Sequence, residues 1–159
     1  MPKESFWTKM KKEEKLKLVE PSEEVKESYI KKSESNTSAA KLLLENGMLE
    51  EAVSIAYYSM YNLLLSLLFK AGIKSENHNA SIILLKKLFN KDNTLISGAK
   101  KERIDKQYFV DFKITRQEVI DTIRTSEEFN AEMIDYISRI TNDEIKEARK
   151  KFKQLLEKI

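Results

Sequence analysis

The stretch Leu49–Gly72, LEEAVSIAYYSMYNLLLSLLFKAG, decides the fold of the whole chain. Leu49, Ala52, Val53, Ala56, Tyr57, Met60, Tyr61, Leu64 and Leu68 recur at steps of three and four, the spacing that lines one face of an α-helix. From Ile55 onward the opposite face is apolar too, through Ile55, Tyr58, Leu63, Leu65, Leu67 and Phe69. A helix apolar all round is buried on several sides, so this segment is expected at the centre of a bundle. It would be about 35 Å long, roughly the diameter of a small domain. Its polar start and short apolar run argue against a membrane span. Gly72 stands where glycine commonly ends a helix.

Working back toward the N-terminus, Asn46-Gly47 reads as a tight turn, and Ser22–Asn46 as a first long helix antiparallel to the central one. Val25, Tyr29, Ala39, Ala40, Leu43 and Leu44 are its expected inward positions. Its middle, SESNTS, is poor helix-forming material, because these side chains compete for backbone hydrogen bonds, and a kink near Asn36 is one outcome. Met1–Glu20 forms a charged extension, with six Lys against four Glu. Phe6, Trp7 and Met10 can make a short apolar face behind a Ser5 cap, either docking Trp7 on the body or serving a partner or RNA.

Toward the C-terminus, Ser75 or Asn77 can cap a third helix running to about Asn90, with Ile82, Leu85 and Phe89 inward and Leu84 and Leu88 beside them. A fourth helix spans about Leu95–Asp111 and carries KERIDKQYFVDF, in which Ile104 and Tyr108 lie one turn apart. Thr115-Arg116-Gln117-Glu118 is a capping-box pattern opening a fifth helix supported by Val119, Ile123, Met133, Ile137 and Ile140. Thr141-Asn142-Asp143-Glu144 repeats the pattern, so the helix kinks or restarts there, followed by the stripe Ile145, Ala148, Phe152, Leu155 and Ile159. The organisation expected is an extension over 1–20, a bundle over 21–140 and a C-terminal amphipathic helix over 141–159.

Composition narrows the function classes. The 159 residues include only 3 Gly and 2 Pro, which speaks against a turn-rich β architecture and for an all-α, up-and-down bundle of four to five main helices. With no Cys, disulfides and thiolate zinc sites are excluded, and a reducing cytoplasm is the expected location. A net charge of +3 is too small to argue for nucleic acid by itself. No glycine-rich phosphate loop is present, and no cofactor or metal is expected.

Taken in order, ENGMLEEAVSIAYYSMYNLLLSLLFKAGIKSENH, a short helix, KERIDKQYFVDF and a T-x-x-E-started helix resemble a HEPN domain (higher eukaryotes and prokaryotes nucleotide-binding). The likeness is to the small prokaryotic HEPN proteins with AYY-x-M and a downstream K-x-x-x-H, and it covers about residues 21–140. It implies a bundle that is commonly a homodimer. It also implies, for many members, a metal-independent ribonuclease toxin encoded beside a small nucleotidyltransferase that neutralises it. The family's active site places an Arg ahead of a His with four to six residues between them. The chemistry is intelligible: attack by a 2′-hydroxyl needs a proton acceptor near neutral pH and a cation against the developing phosphorane charge. Here the motif-equivalent positions read Ile55 and Asn62. Ile carries no charge, and Asn cannot accept a proton near pH 7.

The remaining candidates for contact with RNA or a nucleotide are Tyr58, Asn62, His78, Arg103, Asp105 and Tyr108. His78, the chain's sole histidine, can bind phosphate at a helix start or simply cap and pack there. Tyr57 and Tyr61 fit the core, whereas Tyr58 lies off the main stripe and can stack a base. Arg103, Asp105 and Tyr108 can hold a nucleotide or join helices through an internal ion pair. The basic run Arg149–Lys153 reads as a solvated face around an inward Phe152, or as an RNA patch. Three functions follow, in order: a nucleotidyltransferase partner acting through protein and possible RNA contacts, a ribonuclease with an altered site built on His78 and Arg103, and a scaffold homodimer.

Overall fold

A computed structural model describes residues 3–108 and 113–159, with side chains for all of these but 105–108. In chain order the elements are α1 (Phe6–Lys12), β1 (Leu16–Leu18), α2 (Glu23–Glu45), α3 (Leu49–Lys70), β2 (Ile73–Ser75), α4 (His78–Phe89), α5 (Thr94–Tyr108), α6 (Arg116–Arg139) and α7 (Asn142–Glu157). The architecture is all-α with one small two-stranded sheet.

Helix α3 is the axis. Tyr57, Met60, Leu63, Leu64, Leu67 and Leu68 are fully enclosed, and α2, α5 and α6 pack around them. By length and composition α3 would suffice to cross a bilayer, contrary to the expectation from its polar start, but 67% of its most apolar window is buried inside the bundle. Its two-sided hydrophobicity is therefore spent on neighbouring helices.

Helix α2 runs without interruption through SESNTS, so the kink near Asn36 does not occur. The polar side chains that weaken this segment locally are the ones that bind it to its neighbour. Ser33 donates to the Ser59 carbonyl at 2.7 Å, and Asn36 Oδ1 accepts from Asn62 at 2.7 Å. Tertiary hydrogen bonds thus compensate low propensity. The hairpin closes at Gly47, whose φ of 72° is the left-handed value that glycine tolerates.

The helix starts follow the side chains expected to cap them. Ser5, Ser22, Asn77, Thr115 and Thr141 each accept a backbone N–H in the first turn, and Thr141 with Glu144 completes a capping box. Of the two caps considered for α4, Asn77 serves, while Ser75 sits in β2. The chain restarts at Thr141, giving separate α6 and α7.

The sheet was not expected. β1 pairs antiparallel with β2, Leu16 opposite Ser75 and Leu18 opposite Ile73. It draws the N-terminal segment into the body: Met10 and Leu16 are buried and Trp7 packs on the core. Arg149 from α7 closes this corner, its Nη1 donating among the carbonyls of Val19, Ala71 and Gly72 at 2.8–3.1 Å. Phe152 is fully buried on the same helix. Arg149 is therefore a structural clamp and is withdrawn from the basic run considered for RNA, leaving Lys150, Lys151 and Lys153 exposed.

Candidate functional site

The chemistry-bearing residues converge where the middle of α3, the start of α4 and the end of α5 meet. The run AYYSMY places Tyr57, Tyr58 and Tyr61 within slightly more than one turn of α3, on adjoining positions of the helix surface. The Asn77 cap fixes His78 as the first residue of α4. The imidazole stacks on Tyr61 with centroids 3.8 Å apart and planes 14° from parallel, and the Tyr58 ring meets it edge-on at 6.1 Å.

The Tyr57 hydroxyl lies 2.7 Å from His78 Nδ1. This hydroxyl has no other hydrogen-bond partner among the described residues, and burial pushes its pKa up, with Tyr61 and Tyr58 adding to the shift and Arg103 opposing it. A neutral phenol both donates and accepts, so the contact holds the imidazole in place through Nδ1 for either tautomer of the neutral ring. Burial holds His78 below its ordinary pKa, and the charges of Arg103 and Lys100 push the same way.

Tyr61 is anchored from behind. Its hydroxyl lies 3.1 Å from Ser81 Oγ, which also lies 2.7 Å from Ser75 Oγ and 2.9 Å from the Asn77 carbonyl. Burial raises the Tyr61 pKa, partly countered by Ser81. From α5, the Arg103 guanidinium stands 5.3 Å from the Tyr57 ring centroid and 5.5 Å from that of Tyr58, within cation–π range.

Of the residues singled out by sequence, Tyr58, His78 and Arg103 come together here. Asp105 and Tyr108 belong to α5, but their side chains lie outside the described residues. Asn62 points elsewhere, donating to Asn36 on α2, and Ile55 packs against the smaller apolar cluster formed by Ala40, Ala52, Val53, Ala56, Val119 and Ile123. The motif-equivalent positions thus take part in helix packing, apart from the His78 group.

Sequence reasoning missed the role of Tyr57 and Tyr61. Both are core residues, as their spacing implied, yet both also hold the histidine. The signal was present in the order AYYSMY followed by GIKSENH, but nothing in helical periodicity says which buried ring will face His78.

The HEPN domain family model matches residues 26–158. The UPF0332 protein PH1297 of Pyrococcus horikoshii is 47% identical over 56 residues, which is 35% of this chain and 39% of that protein. The match therefore spans about two fifths of the length of this curated relative. With the helical order on the page and a family match running from early α2 to the end of α7, the chain belongs to the HEPN domain family.

Proposed function

We propose that this chain is the binding component of a HEPN–nucleotidyltransferase pair of the toxin–antitoxin type, and that the Tyr58–His78–Arg103 face contacts RNA or a nucleotide. One observation carries this reading over catalysis. Nδ1 of His78 is already engaged by the Tyr57 hydroxyl, and burial with the charges of Arg103 and Lys100 disfavours the imidazolium that a general base must become. On this reading Tyr57 donates, and Nε2 carries the proton and offers a donor to a phosphate or base acceptor. Arg103 supplies a fixed cation beside it, and Tyr58 a ring. Self-association as a homodimer accompanies this function, supported by membership of the HEPN domain family, whose bundles commonly pair.

The alternative is a metal-independent endoribonuclease in which His78 and Arg103 replace the family's usual pair. The convergence of both residues on Tyr57 and Tyr58 favours it over a pure scaffold.

A metal-free RNA cleavage assay, run beside co-purification with a small nucleotidyltransferase encoded next to this chain, separates the readings. The binding reading expects no efficient cleavage by the unmodified chain, a stable complex, and RNA retention weakened by Arg103→Ala. Because general-base catalysis is typically worth about 10²–10⁴-fold, robust cleavage abolished by His78→Ala would replace this reading with the ribonuclease. Asn62→His, which restores the family's His at its motif position, is expected to raise any residual cleavage.

A further inference from the structure

Residues of α4 and α5, with Phe6 of α1, line an open groove of about 520 Å³. Its floor is apolar, made by Ile82, Ile83 and Ile104. Lys100 and Lys101, consecutive on α5, line it as well. Among the described residues neither lysine has a carboxylate within ion-pair distance, and no Asp or Glu lines the groove.

Several other lysines on this surface are already engaged. Lys26 pairs with Glu23 and Glu27, Lys41 with Glu127, Lys70 donates to the Ile137 carbonyl, and Lys91 sits over the Tyr136 ring. Two cations without counter-charges beside an isoleucine floor make a surface complementary to an amphipathic anion. The groove's openness bears on the size of that anion. A small molecule is held by a cleft that buries most of its surface, whereas an open trough between two helices suits a polypeptide segment laid along it. RNA would favour a broader field of cations and exposed rings over a floor of isoleucines.

We infer that the α4–α5 groove binds an acidic amphipathic peptide segment of a protein partner, its apolar side chains on Ile82, Ile83 and Ile104 and its carboxylates on Lys100 and Lys101. This goes beyond the reading of the His78 face and does not depend on it, since Ile82, Ile83 and Lys101 play no part in that cluster.

The test uses the full chain and fluorescence anisotropy. The probe is a fluorescein-labelled peptide with leucines on one helical face and glutamates on the other. Comparison probes replace the glutamates with lysines or the leucines with serines, and a fluorescein-labelled oligouridylate reports RNA. Among the peptides, the expected result is saturable binding of the Leu–Glu peptide alone, weakened about tenfold or more by Lys100→Glu/Lys101→Glu, as expected when like charges replace complementary ones. Ile83→Asp, at a half-exposed position, is expected to weaken it comparably, with the helical circular dichroism and melting of each variant unchanged. Absence of saturable binding at high micromolar peptide overturns the inference, as does binding indifferent to the charge reversal. Oligouridylate binding that Lys101→Glu abolishes, Arg103→Ala leaves intact and the peptide fails to displace also overturns it, in favour of an RNA surface. The peptide outcomes bear neither on cleavage nor on RNA retention by the His78 face, so the two proposals fail separately.

Discussion

The Tyr57 hydroxyl and His78 Nδ1, 21 residues apart in sequence, meet at 2.7 Å. Replacing Tyr57 with Phe keeps the ring stack and removes the hydroxyl, leaving a half-buried imidazole nitrogen without its partner. Such a loss costs about 1–3 kcal/mol. Urea denaturation of Tyr57→Phe should show that decrease with an unchanged slope. Loss below half a unit would mean that water satisfies Nδ1.

His78 also gives a pH dependence. Burial, with Arg103 and Lys100, holds the folded-state pKa of His78 below its ordinary value of 6.5. The unfolded chain therefore takes up this proton first. The stabilisation is complete above about pH 6.5 and is lost as pH falls from there through the folded-state value. Stability measured between pH 7 and pH 5 should decline more steeply for the unmodified chain than for His78→Gln. The difference between the two curves isolates this group from titrating carboxylates, and an NMR titration of His78 should give a midpoint below 6.5. A midpoint above it would contradict the geometry.

Leu64 is fully buried at the centre of α3. Leu64→Ala should destabilise the protein by about 2–5 kcal/mol, the sum of a transfer term and a cavity term. Denaturant midpoints will show it directly.

Arg149 is expected to hold the N- and C-terminal segments together. Arg149→Met keeps the aliphatic stem and removes the donors to Val19, Ala71 and Gly72, and should cost about 1.5–3 kcal/mol as charged hydrogen bonds are lost. Gly72→Ala attacks the same corner differently. Gly72 has φ 73°, and an added Cβ would meet the Arg149 guanidinium and lie 2.5 Å from the Val19 carbonyl. The left-handed backbone alone costs an alanine about 1–2 kcal/mol, before the clash. In Gly72→Ala/Arg149→Met the two effects should fall short of additive, because the methyl no longer strikes the guanidinium.

The proposed homodimer is open to light scattering at high micromolar concentration. The unmodified chain should run as two copies, and Leu65→Glu, at a partly buried position on α3, should run as one with its helical circular dichroism retained. A monomeric unmodified chain would remove the proposal. A two-fold contact places the same patch on both copies, so one substitution acts twice.

The sequence by itself determined the helical class, the hairpin of α2 and α3, the inward faces of α4 and α6, and the caps at Ser5, Thr115 and Thr141. Each of these rests on local physics: hydrophobic spacing chooses a face, and a capping side chain reaches only its own first turn. Only the tertiary structure decided that SESNTS stays helical, because Ser33 and Asn36 find partners on α3 that no local rule foresees. It also decided the pairing of β1 with β2, three residues each and too short to show an alternation, and the inward turn of Arg149 from a run that reads as solvated. The candidate site divides the same way. Tyr58, His78 and Arg103 were legible as residues able to bind RNA. That Tyr57 meets His78, and that Asn62 turns to Asn36, depends on how three helices are rotated against one another, which periodicity leaves undetermined.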